Sequence, residues 1–246
     1  MNRAGAVVVA AGNGTRMNPG GACGAAVKKQ FLALAGEPVL LWTLRALAGV
    51  RVISEIVLVT AEEDIPYCER ELVPRARGGG PRSVPIKVVG GGGTRQASVG
   101  CGLRALGPAC GIVVIHDGVR PFVEAEAVGA SIEAAARVGA ACLAVRVTDT
   151  IKVAREGLVE CTPDRTELWA AQTPQTFRRE LLTEALAAAE RDGFFGTDDV
   201  SLAERLGKRV ALVEGSYENI KITTPKDLAI AAEIIKRRKT DITEAT

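Results

Sequence analysis

"AVVVAAGNGTRM", residues 6–17, runs from an apolar stretch of strand length into a glycine loop and an arginine. A strand with no polar alternation is buried on both faces, and such strands belong to parallel sheets covered by helices. The loop then has three readings. Gly12 and Gly14 open a G-x-G-x-x-G dinucleotide fingerprint, but its third position is Met17, where no backbone-close helix packing is possible. The hydrolytic P-loop needs Gly-Lys-Ser or Gly-Lys-Thr, and the chain contains neither. A phosphate cradle of another kind remains. Its glycines let the backbone approach a polyphosphate with amides turned inward. Arg16 can fork onto phosphate oxygens, and Lys28 or Lys29 can supply a second positive charge.

The rest of the chain repeats this opening. "EIVLVT" (55–60), "IKVVGG" (86–91), "GIVVIHD" (111–117), "AACLAVRV" (140–147) and "RVALVEG" (209–215) are further valine-rich runs. Helix-like periodicity fills the intervals at 38–50, 94–106, 124–139, 178–193, 198–207 and 224–239. Pro38 and Pro225 suit first helical turns, and Gly193 and Gly207 suit helix stops. The alternation predicts a doubly wound α/β domain with a mostly parallel sheet and helices on both faces. One domain is expected over 1–236, followed by a polar tail at 237–246.

A single segment breaks the rhythm. From Val147 to Phe177 the pieces are short and alternating, with a turn at "REG" (155–157) and no long helix. It reads as a β-hairpin arm at about 147–172 that leaves the sheet. An arm this thin cannot bury itself, so it is expected to dock on a second copy of the chain.

Composition narrows the function classes. With 246 residues, 47% of them hydrophobic, the chain can bury a sizeable core. A formal net charge of +2 leaves no basic field for nucleic acid. No apolar stretch reaches the roughly 20 residues of a membrane span. Six cysteines without a CxxC pair, and one histidine, argue against a zinc site or a disulfide framework. A reduced, cytoplasmic protein is the expectation.

Six stretches, in order, carry a family resemblance: "AAGNGTRM" with "KQF" (29–31), "GGGGTRQASV" (90–99), "IHDGVRP" (115–121), "VTDTIK" (147–152), "DRTELWAAQTPQTF" (164–177) and "ENIKITTPKDL" (218–228). Together they resemble the 2-C-methyl-D-erythritol 4-phosphate cytidylyltransferases, enzymes of the non-mevalonate isoprenoid pathway with a Rossmann-like nucleotidyltransferase fold. Ribitol 5-phosphate cytidylyltransferases share several of these motifs and are the alternative. "TDTIK" and "DRTELW" favour methylerythritol phosphate. Four departures stand out: a long gap before Lys29, Lys28 where a proline is usual, Gly93-Thr94 in place of an acidic pair, and "HDGVRP" (116–121) where "HDAARP" is commoner.

The resemblance implies transfer of a cytidylyl group from CTP to methylerythritol phosphate, with release of pyrophosphate, by a homodimer whose arm completes the other subunit's site. The nucleophile is the substrate's own ionised phosphate, so no general base is required. Charge neutralisation is what the reaction needs. The resemblance assigns transition-state stabilisation to Arg16 and Lys29, with Lys28 as a substitute for the latter. Ala11, Gly12, Gly14, Gly92, Ser98, Asp117 and Gly118 are implied to bind CTP. Arg120, Thr150, Arg165 and Lys221 are implied to hold methylerythritol phosphate, the last two positioning its phosphate for attack. Asp117 would organise Mg2+ or another divalent cation, directly or through water. His116 is read as a structural residue shaping the Asp117 loop, and Trp42 and Trp169 as packing groups.

Overall fold

The computed structural model describes residues 3–12, 28–77 and 83–244. Strand β1 (Arg3–Val9) comes first, and the described chain resumes at a 3-10 turn at Lys29–Phe31, the small hairpin β2 (Ala33–Leu34) and β3 (Glu37–Pro38), and helix α1 (Val39–Ala48). Next come β4 (Ile53–Thr60), α2 (Ile65–Tyr67), a π-helical turn at Cys68–Leu72 and α3 (Val73–Arg77). Then follow β5 (Ile86–Gly90), α4 (Arg95–Ala105), β6 (Cys110–Asp117), α5 (Ala125–Val138) and β7 (Ala140–Arg146). A hairpin, β8 (Val153–Arg155) and β9 (Leu158–Cys161), precedes β10 (Trp169–Arg178). The chain closes with α6 (Arg179–Arg191), α7 (Val200–Arg205), β11 (Val210–Glu214) and α8 (Pro225–Glu244).

Seven strands form the main sheet in the order β11-β7-β10-β6-β1-β4-β5, and every neighbouring pair is parallel except those made by β10. Alternate residues of β1 divide the core. Ala6 and Val8 face Leu40, Leu41, Leu44 and Leu47 of α1, whereas Val7 faces Val99 and Leu103 of α4. Each of those buried leucines contributes about 1.5–3 kcal/mol by leaving water. Close packing of α4 depends on Gly102, since a Cβ there would run into Val7 and Val59. On the far side of α1, α8 buries Ala231, Ile234 and Ile235 against Val39, Val119 and Phe122. None of the described helices is long and apolar enough to cross a membrane.

Three local expectations are corrected. The stretch 169–178 is not arm: from Trp169 onward it is a central antiparallel strand, pairing with Ala140–Arg146 on one side and Ile112–Ile115 on the other. Its polar sequence hid this, because burial of Gln172, Thr173, Gln175 and Thr176 is made tolerable by hydrogen bonds that sequence does not display. Thr176 meets Ser131 at 2.9 Å, and Gln172 donates to Ser216 O at 2.9 Å. The helical segment 65–77 was not anticipated. Nor are residues 237–244 a separate tail, for α8 runs on to Glu244, with Arg237 and Arg238 paired to Glu218.

The hairpin itself is confined to 153–161 and turns at Glu156-Gly157, both in the left-handed region (φ +51° and +81°), the geometry of a two-residue type I′ turn. It pairs with no other described strand.

Candidate active site

The chain lays down β1, β4 and β5 in one direction, then returns to place β6 on the other side of β1. Helices diverge at such a reversal, and ligands in open α/β sheets bind there, beyond the carboxyl ends of the strands. A pocket of about 440 Å³ occupies this position. Ala11 and Gly12 after β1, Gly92, Gly93 and Thr94 before α4, and Asp117 at the end of β6 form its walls, with Lys29, Arg95 and Lys221 contributing the positive charge.

The glycine wall is held by side chains. Thr94 caps α4 by accepting from Ala97 N at 3.0 Å. Ser98 Oγ accepts from Gly92 N at 3.1 Å and donates to Thr94 O at 2.9 Å. Gly91 has no room for a side chain, since a Cβ would stand 2.6 Å from Ala11 Cβ and 2.8 Å from Ser98 Oγ. The wall is therefore backbone presented to the pocket, at the positive end of a helix.

Opposite stands a knot of charge. Asp117 Oδ1 accepts from Arg95 Nη2 at 3.2 Å and Nε at 3.3 Å; Oδ2 accepts from Lys221 Nζ at 2.8 Å, with Arg120 Nε at 3.7 Å. Burial alone would raise the Asp117 pKa, but Arg95, Lys221 and Arg120 outweigh it and hold the carboxyl well below the usual range. Arg95 Nη1 also reaches Asp199 Oδ2 at 2.7 Å. His116 is fully buried, between Thr173 Oγ1 at 3.1 Å from Nδ1 and Arg120 O at 3.0 Å from Nε2. Burial pushes it down to about 4, so it is a neutral scaffold for the Asp117 loop at physiological pH.

The two lysines face different surroundings. Lys28 Nζ donates to Glu63 at 2.6 Å and Asp64 at 2.7 Å, whereas Lys29 lines the pocket. Gln30 anchors the turn from beneath, donating to Ala10 O at 2.9 Å.

Of the residues expected from sequence, Ala11, Gly12, Lys29, Gly92, Ser98, Asp117 and Lys221 line one pocket. Gly118 lies just behind it, donating to Val9 O at 2.9 Å, and Arg120 braces the rear by donating to Asn219 O at 2.6 Å. Gly14 and Arg16 lie outside the described residues. Thr150 and Arg165 do not reach this pocket in their own chain. Both are exposed, Arg165 donating to Thr148 O at 2.7 Å. Sequence reasoning missed Arg95 and Asp199. The first sits inside the quoted "GGGGTRQASV", where only Gly92 and Ser98 drew notice. The second had no signal, because its partner lies 104 positions away.

For a divalent cation, no group of three or more His, Cys, Asp or Glu exists among the described residues. Asp117 is the single carboxylate on the pocket wall. That donor set suits Mg2+ bound through one carboxylate with substrate phosphates and water completing the shell, and does not suit an all-protein metal cage.

A family model described as IspD, 2-C-methyl-D-erythritol 4-phosphate cytidylyltransferase, matches residues 4–237. The chain is 44% identical over 233 residues to a protein of that name from Caldanaerobacter subterraneus subsp. tengcongensis, covering 94% of this chain and 98% of that one. It is 45% identical over 246 residues to the like-named protein of Pelotomaculum thermopropionicum, covering 100% and 99%. Among solved structures, the 4-diphosphocytidyl-2C-methyl-D-erythritol synthase of Anaerococcus prevotii superposes with a TM-score of 0.81 at 31% identity, covering 96% of this chain and 99% of that one. The 2-C-methyl-D-erythritol 4-phosphate cytidylyltransferase of Thermus thermophilus gives 0.74 at 32%, covering 95% and 99%.

Proposed function

The chain belongs to the 2-C-methyl-D-erythritol 4-phosphate cytidylyltransferase family, and on that premise we propose how its residues divide the work. The reaction transfers the cytidylyl group of CTP to methylerythritol phosphate and releases pyrophosphate. An oxygen of the substrate phosphate attacks the α-phosphorus, and the bond to the pyrophosphate oxygen breaks. No proton needs to be removed, so the buried neutral His116 has no acid–base part.

The triphosphate lies along Ala11, Gly12 and Gly14, with Arg16 and Lys29 opposing the charge that grows on the α-phosphoryl and the leaving group. Gly92 and neighbouring amides, in a loop shaped by Ser98, meet the cytosine edge. Asp117 is the residue that would hold a divalent cation, and Lys29 is the lysine that faces the phosphates. Magnesium, when bound, screens triphosphate charge and polarises the phosphorus. Lys221 and Arg120 grip the methylerythritol phosphate from one subunit, and Thr150 and Arg165 from the arm of the other. Five described cysteines are free thiols, which suits a reducing compartment such as the cytoplasm.

One observation carries this reading: a buried carboxylate clamped by cations, facing Lys29 across a pocket walled by glycine backbone. The test is pyrophosphate release with CTP, UTP, ATP or GTP crossed against methylerythritol phosphate and ribitol 5-phosphate. Turnover is expected with CTP and methylerythritol phosphate; turnover with ribitol phosphate alone overturns the reading.

A further inference from the structure

Asp199 is a carboxylate 2% exposed that does not line the pocket, yet its partner does. It cannot swing away. Its own N–H and that of Val200 both donate to Gln175 Oε1, at 2.8 and 3.0 Å. Gln175 is in turn fixed on the central strand β10 and donates to Asp198 Oδ2 at 2.8 Å. The carboxylate therefore meets Arg95 from a rigid base. Arg95, at the first turn of α4 and a third exposed, splits its planar fork: Nη1 goes to Asp199, Nε and Nη2 go to Asp117.

We propose that Asp199 is a positioning residue for cytidylyl transfer, acting through Arg95 to keep the Asp117 carboxylate where the reacting phosphates need it. An arginine beside a polyphosphate pocket is drawn toward bidentate phosphate pairing. Asp199 opposes that pull by holding one end of the guanidinium, so Arg95 stays on Asp117 when a triphosphate enters. With Asp199 neutral, the fork turns to the triphosphate. Ground-state binding of CTP is then kept or tightened while Asp117 loses its clamp. Interactions gained equally in ground and transition states do not raise turnover.

The proposal rests on the assignment of Asp117 to the reacting site, and the experiment separates the two. For Asp199→Asn, which keeps the side chain's shape and removes its charge, kcat is expected to fall about ten- to a hundredfold, with KM for CTP unchanged or lower. In a cycle with Arg95→Met, the double variant should turn over no more slowly than Arg95→Met alone. Asp198→Asn serves as a control, because Asp198 shares Gln175 but is not bonded to Arg95; it should alter melting temperature and leave kcat. Wild-type kcat in Asp199→Asn, or additive losses in the cycle, overturns the role of Asp199. If Asp199→Asn does not fold, Arg95→Lys gives the same reading, since a compact ammonium lacks the planar fork that pairs Asp117 through Nε and Nη2 while Nη1 holds Asp199. Its kcat should fall with KM for CTP unchanged, and normal kcat overturns the proposal. Asp117→Asn is assayed alongside: full turnover there refutes the reading of the pocket itself, whatever Asp199 does.

Discussion

Two charged regions of this chain use the same chemistry to opposite ends. Around Asp117 the acids are packed out of water and tied to half-buried cations in a chain from Asp199 through Arg95 to Asp117 and Lys221. On the β8–β9 hairpin, Arg155 and Glu160 meet at 3.2 Å with their side chains 80% and 44% exposed. The first arrangement is costly, because each buried charge depends on its partners and removing one strands the rest. The second is screened by water and contributes almost nothing. Placement, and not residue type, separates a site from a surface. The hairpin adds a second contrast, since Val153, Leu158 and Val159 stand exposed on a two-stranded sheet that cannot be stable alone. The knot is finished within the chain, whereas no described strand pairs with the hairpin and its apolar side chains stand in the open.

The largest effect expected from breaking this contrast is at the pocket. Lys29→Ala should lower kcat by about 10²–10³-fold, in keeping with the loss of one preorganised charge, while melting temperature changes little. A turnover within threefold of wild type refutes the role of Lys29 and would send attention to Lys28.

Next comes acid stability, a property of the knot's floor. Folded His116 titrates at about 4 against an ordinary 6.5, because it is buried, with Arg120 O and Asp117 opposing that shift and Arg120 and Arg95 adding to it. The unfolded chain therefore binds more protons in that window. Stability should hold above pH 6.5 and fall as pH drops from 6.5 toward 4, by up to about 3 kcal/mol. Denaturant melts across pH, compared with His116→Gln, test this, and an equal decline in the variant refutes it. This is the chain's single histidine.

The turn that follows the hairpin makes the third prediction. Arg165→Ala should raise KM for the alcohol substrate about tenfold and spare KM for CTP. Mixed and re-equilibrated with Lys29→Ala, it should regain activity, since a hybrid dimer holds one site with both residues intact. Absence of recovery argues that the arm serves its own chain. Smallest of all, Arg155→Ala should change stability by less than about 0.5 kcal/mol, and a larger loss would mean the hairpin's surface pair is covered.

Much of this was legible from residues 6–17 onward. Valine runs foretold six strands of the sheet, because a strand buried on both faces has no polar partner to conceal. Gly92 and Asp117, at or just past the ends of their strands, were readable from local pattern, whereas Lys221 came only from motif order; all three line the pocket. Strand β10 was not legible: "QTPQTF" looks like loop until Ser131, Ser216 and Asn219 supply its hydrogen bonds. The motif favoured Lys29 over Lys28 from sequence alone; the fold adds that Lys28 pairs with Glu63 and Asp64 while Lys29 lines the pocket.

The sequence by itself determined the layered α/β plan and the family, since these follow from hydrophobic period and motif order. Only the tertiary structure decided which charges meet. Arg95 and Asp199 are 104 positions apart, and the strength of their contact depends on a separation and a burial that no local pattern encodes.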